Sequence, residues 1–188
     1  MSLLALDARW RRLHDEARAC PCCGRQFSGL IDFAFAQPDA WPHAEPTPGM
    51  PEIVAGEDRL SPDLCRIGED RFLSALLSLN VRGSDEEVHF ALWVAVAPKT
   101  FYAYLDAATG DGPAFEGGAG WLMNDLPGFE SDEPLPCTLL PGAEGERPRI
   151  RLADGPLAAL QADGIGFDPL LDLYAALGDD IRPHLAAD

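Results

Sequence analysis

Val88-His89-Phe90-Ala91-Leu92-Trp93-Val94-Ala95-Val96, residues 88–96, alternates large apolar side chains at 88, 90, 92, 94 and 96 with smaller or mixed ones between them. A period of two places the first set on one face of a strand. The second face carries Ala91, Trp93 and Ala95 and is also largely apolar, so the strand belongs near the middle of a sheet rather than at its edge. Upstream, Ser84-Asp85-Glu86-Glu87 forms a polar turn beside Gly83, and residues 71–81 form a second long strand. The short connection favours antiparallel pairing of the two.

Shorter strands are expected at Leu64–Ile67, Cys137–Leu140 and Arg149–Leu152, and near 31–35. Helical spacing of Leu6, Trp10, Leu13 and Ala17 predicts a helix over 3–19 that runs into the cysteine cluster. Pro98 suits the first turn of a helix over 98–108, and the tail reads as helix at 156–162 and 169–177. Five prolines and two glycines between 37 and 58 predict an irregular connection anchored by Trp41; the Gly-rich stretch 110–120 reads as a flexible loop. The expectation is a single α+β domain, with a mostly antiparallel central sheet, N- and C-terminal helices and a zinc-knuckle-like turn. Its parts are a helix and knuckle (1–25), the Pro-rich connection (37–58), a sheet-containing core (59–165) and a C-terminal helix and tail (166–188).

The chain has 188 residues, enough for one core without staples. Fourteen basic against 31 acidic side chains leave a net charge of −17. A field of that sign repels phosphate backbones, which argues against nucleic acid; it reads either as a solubilising surface or as an acidic face for a basic protein partner. No stretch is long and apolar enough to span a bilayer, and the opening residues lack the charged start of a secretory leader. Five cysteines, three of them within four positions, make a poor disulfide framework and point to the cytoplasm.

Those three are in Cys20-Pro21-Cys22-Cys23-Gly24. Cys20 and Cys23 have knuckle spacing, Pro21 stiffens the loop, and Gly24 suits a left-handed turn. Structural zinc needs four S or N ligands; Cys65 and His43 are the candidates to join Cys20 and Cys23, with His14 and Cys137 as further choices. Cys22 is read as facing elsewhere and His184 as lying in a frayed tail. The competing reading is a tight turn whose cysteines pack as small hydrophobes. Redox use is disfavoured because the pair ends a helix instead of opening one. Trp121, Asn124 and Asp125 follow the Gly-rich loop as a candidate cleft, against the alternative of a Trp anchor with turn-forming polar neighbours.

The order of short motifs adds to this. The knuckle is followed by Pro38-Asp39-x-Trp41, Leu60-Ser61-Pro62-Asp63-Leu64-Cys65, residues 120–129 (GWLMNDLPGF) and residues 156–165 (PLAALQADGI). This succession resembles the bacterial family catalogued as domain of unknown function 2199, over roughly 19–177. The resemblance brings no established activity. In the family pattern a histidine tends to follow the Cys-Gly pair, where this chain has Arg25, Gln26 and Phe27. A His-Pro-Leu tends to open the last helix, where it has Gly155-Pro156-Leu157.

Without a catalytic motif, the sequence favours a non-enzymatic protein-binding domain of adaptor or immunity type, with or without structural zinc. The alternative is an enzyme of unknown substrate using a cleft near Trp121–Gly128.

Overall fold

The computed structural model describes residues Leu3–Ala186; Met1 and Ser2 of the opening segment and the last two residues of the tail lie outside the described residues. Among those described, the chain is α+β, with nine strands in a largely antiparallel sheet and five α-helices. It groups into two compact units. One comprises 1–32, 79–88 and 159–188; the other comprises 33–78 and 89–158.

The larger unit is built on most of β5 (Asp70–Asn80) and β6 (Glu87–Val96), the two strands read first from the sequence, whose residues 79–80 and 87–88 group with the smaller unit. From β6 the sheet runs through β7 (Gly118–Leu122), β8 (Leu135–Leu140) and β9 (Arg149–Leu152) back to β5, and β5 also pairs with β6. That extra pairing closes the five strands into a ring. The contacts of β7, β8 and β9 are antiparallel except β9 on β5, which is parallel with Leu76 opposite Arg149. Beyond β5 the sheet continues through β4 (Leu64–Ile67), β3 (Asp58–Leu60) and β2 (Ile53–Ala55). The two-residue β1 (Phe33–Ala34) pairs in parallel with Phe90 and Ala91 of β6.

Alternation in β6 sorts its side chains as expected. Val88, Phe90, Leu92 and Val94 are buried on one face, and Trp93 on the other packs with Trp41, Leu60, Cys65 and Phe72. Trp41 therefore anchors the Pro-rich connection, and its indole N–H donates to Ala44 O. Within the stretch read as wholly irregular, β2 nevertheless forms, turning at Gly56 (φ 65°) into β3.

The loop expected over 110–120 ends early because β7 starts at Gly118. Glycine masks a strand there for a steric reason. A Cβ on Gly120 would stand 2.5 Å from Val94 Cγ1 and 2.8 Å from Ala95 O on the neighbouring strand. Helix α2 (Pro98–Thr109) has Pro98 in its first turn and ends on Gly110 in the left-handed conformation (φ 78°).

The smaller unit holds α1 (Ala8–Leu13), part of α3 (Pro156–Asp163), α4 (Phe167–Ala176) and α5 (Arg182–Ala186). The helix expected over 3–19 is cut to six residues, preceded by a 3-10 turn at Leu3–Leu6. Asp7 caps α1 by accepting from Arg9 N at 2.8 Å, and His14 ends it. Asp15 then diverts the backbone into a turn by accepting from Ala17 N. On α4, Phe167, Leu170, Leu171 and Tyr174 form one buried stripe, and the Tyr174 hydroxyl accepts from Ile31 N at 3.0 Å.

The close approach at β7 gives a test. Gly120→Ala should destabilise the protein by about 1–3 kcal/mol, since the backbone carbonyl it meets cannot step aside cheaply. Urea unfolding should show a lower midpoint at unchanged slope.

Candidate metal centre

The knuckle is a small hairpin closed by backbone. Cys20 N donates to Arg25 O at 2.8 Å, Gly24 N to Cys20 O at 2.7 Å, and Ala19 bridges Gln26 in antiparallel fashion. Gly24 has a φ of 76°. A residue with a Cβ rarely adopts that conformation. The fold of this turn aims Cys20, Cys22 and Cys23 toward one point.

His184 on α5 faces that point. Its Nδ1 lies 3.4 Å from Cys20 Sγ, 3.4 Å from Cys23 Sγ and 4.0 Å from Cys22 Sγ. All four ligand atoms lie within 4.8 Å of one another. A tetrahedral zinc with Zn–S of about 2.3 Å and Zn–N of about 2.0 Å sets each S and N about 3.5 Å apart. The three S···N distances bracket that value. The Cys20–Cys22 separation of 3.0 Å is shorter than the roughly 3.8 Å between two sulfurs on one tetrahedral zinc, so these two would move apart to hold the ion.

Electrostatics agree with thiolate character. The Cys22 thiol, and after it His184, hold the Cys20 thiol down at about 6. Cys22, donating to Cys20, is pushed up to about 11. One proton of the pair is therefore released easily, which favours a metal ligand.

Several contacts bring α5 to the knuckle. Arg25 makes a two-pronged ion pair with Asp179, at 2.6 and 2.7 Å. Arg12 donates to Leu185 O and Arg18 to His184 O, satisfying carbonyls at the end of the helix. Ile181 and Leu185 are fully buried. His184 is thus held, not frayed, and Cys22 turns toward its neighbours instead of away.

The other two ligands proposed from sequence lie in the larger unit, outside this group. Cys65 is buried in the Trp41–Phe72–Trp93 cluster, where burial first and the Asp58 charge second push its thiol up to about 12. His43 is engaged by Asp58, with Nε2 at 2.8 Å from Oδ2, and its ring meets Trp41 edge to face. Cys137 is likewise buried and pushed up to about 12, and His14 bridges Trp10 O and Glu86. Sequence spacing could not find His184, because it stands 164 positions away from Cys20.

The candidate cleft residues serve mainly to join loops. Asn124 is 3% exposed; its Oδ1 accepts from Trp93 N, and its Nδ2 donates to Gln37 O and Asp39 Oδ1. Asp125 N donates to Asp39, and its carboxylate accepts from Ser131 N. They line a hollow of about 120 Å³, whereas Trp121 stands 53% exposed on β7 and does not line it. A larger groove of about 1020 Å³ lies between α2 and the loop 141–149, lined by His89, Tyr104, Phe115 and Arg147 among others.

An α+β protein whose clustered Cys and His side chains can hold a metal ion is the class that the fold and site define. The chain belongs to the bacterial family described as uncharacterized protein conserved in bacteria (DUF2199), whose model matches residues 19–165. The match takes in the three cysteines, and His184 lies beyond it. No curated protein and no solved structure matches the chain. No helix among the described residues is long and apolar enough to cross a membrane.

The Arg25–Asp179 pair can be tested separately from the metal. Arg25 holds the Asp179 carboxyl below its ordinary 3.8. The pair therefore stabilises fully above that pH and progressively less as pH falls below it. Both side chains are about one-third exposed. With that much solvent screening, Asp179→Asn should cost only about 1 kcal/mol at neutral pH. It should also flatten the acid limb of the stability profile, measured by denaturant midpoints against pH.

Proposed function

We propose that the protein is an acidic protein-binding domain in which Cys20, Cys22, Cys23 and His184 hold a structural zinc ion. The convergence of these four side chains carries the reading. Three sulfurs and one nitrogen make up a full tetrahedral set, which leaves no position for a substrate, as structural zinc sites require. Bound there, the ion fixes the knuckle to α5 and adds its binding energy to the folding of the smaller unit. A net charge of −17 supports recognition of a basic protein partner, as an adaptor or immunity protein would make. Five unpaired thiols support a reducing, cytoplasmic setting.

One observation favours an enzymatic alternative, at a place other than the cleft near Trp121–Gly128. The groove of about 1020 Å³ carries His89, whose Nδ1 lies 2.8 Å from Ser78 Oγ. Nucleophilic catalysis also uses such a pairing. Against it, that groove offers two arginines and three carboxylates already partly paired with one another, Arg147 with Asp63 at 2.6 Å and Arg149 with Glu146 at 3.7 Å.

Elemental analysis of reduced protein purified without chelator should find about one zinc per chain. Cys20→Ser and His184→Ala should each remove most of it. Chelation should lower the thermal midpoint of the parent and leave that of the variants unchanged. A metal-free parent, or variants that keep full zinc, would refute the site.

A further inference from the structure

Cross-strand register in the larger unit puts three arginines in one row. Arg59 of β3 is directly opposite Arg66 of β4, which is directly opposite Arg71 of β5. Residues paired this way share a face of the sheet, and like charges so placed repel. The opposite face of the same strands carries Leu60, Cys65 and Phe72, so the sheet has an apolar side and an arginine side. The chain has only 14 basic residues, which makes three in register notable in themselves.

Two of the guanidinium groups, those of Arg66 and Arg71, also converge. Arg66 Nε and Arg71 Nη1 both donate to Gly68 O, at 3.3 and 2.9 Å. Arg71 is 7% exposed; its Nη1 also donates to Asp70 O at 3.0 Å, while its Nε has no hydrogen-bond partner. Among the described residues no ion pair joins Arg66 or Arg71 to a carboxylate, although 31 acidic side chains are available. Of the three, Arg59 has an acidic partner, Glu52 at 3.4 Å. Asp58, near the same hairpin, is taken up by His43 and by Gly68 N; the Arg66 charge is the smallest of the influences that hold its carboxyl low. The Tyr102 ring covers Arg71 at 6.0 Å. Lys99, the only lysine, precedes that tyrosine by one turn of α2.

Burying a cation without a counter-ion is costly, and a second cation on the same carbonyl raises the cost. An anion seated on the row would remove both penalties. We propose that the arginine row Arg59–Arg66–Arg71 is a binding site for a small phosphorylated molecule. Arg66 and Arg59 offer the reachable donors, and Arg71 supplies a fixed, poorly screened positive charge beneath them. A tetrahedral oxyanion has oxygens enough to meet two guanidiniums arriving from different directions, where a planar carboxylate has one bidentate edge. The overall negative charge favours a compact ligand over a nucleic acid, whose many other phosphates the protein would repel. This site is independent of the zinc reading, since none of its residues belongs to the smaller unit.

Calorimetric titration of the full chain with pyrophosphate at low salt tests it. Saturable binding of one pyrophosphate per chain is expected, weakened at least tenfold by Arg66→Gln and unaffected by Arg151→Gln at an exposed position of β9. Arg66 is only half-buried, so its variant should fold; circular dichroism and an unfolding midpoint equal to or above the parent's would show that it does. Glutarate, a dicarboxylate, should bind more weakly than pyrophosphate. No saturable heat, equal affinity in the Arg66 and Arg151 variants, or tighter binding of glutarate would each overturn the proposal.

Discussion

Three thiols and an imidazole converge with their ligand atoms within 4.8 Å of one another. Two of the sulfurs, Cys22 and Cys23, are exposed and could turn to solvent, yet their Sγ atoms lie 4.0 and 3.4 Å from the same imidazole nitrogen. The backbone of the 20–25 hairpin fixes where the sulfurs point, and the Arg25–Asp179 pair with the buried Ile181 and Leu185 fixes where His184 points. With only five residues α5 could not persist alone, and these contacts hold it against the knuckle.

The larger unit rests on a different principle. Its order comes from a ring of strands whose inner positions are apolar and from a second cluster around Trp41 and Trp93. Polar groups in that cluster are matched one to one: Trp93 N–H donates to Asn124, and the Trp93 indole donates to Phe35 O. Asn124 thereby ties three chain segments together, which explains an amide in an otherwise turn-forming stretch. The arginine row departs from this pattern, since Arg71 Nε is buried without a hydrogen-bond partner.

Much of the architecture was legible because period-two burial is a local signal. Strands at 64–67 and 149–152 fall where they are expected, and the helix expected over 98–108 starts at Pro98 and runs one residue further, to Thr109. The misses share a cause: each depends on contacts that a local pattern does not display. Strand β7 is hidden by glycines set at close approaches, Gly120 against Val94 and Ala95 and Gly118 against Thr100. Helix α1 is shortened by an Asp15 side chain that captures the backbone. The site was half legible. Knuckle spacing marks Cys20 and Cys23 from sequence alone, while Cys22 and His184 become ligand candidates only once α5 is folded against the turn. Cys65, chosen for its place at a strand entry, serves instead as a small apolar side chain between Leu60 and Phe72.

X-ray absorption at the zinc edge of metal-loaded protein measures the central claim directly. A shell of three sulfurs at about 2.3 Å and one nitrogen at about 2.0 Å is expected, with the nitrogen lost in His184→Ala. A shell with two sulfurs, or with oxygen from water completing the set, would contradict a closed Cys20–Cys22–Cys23–His184 centre.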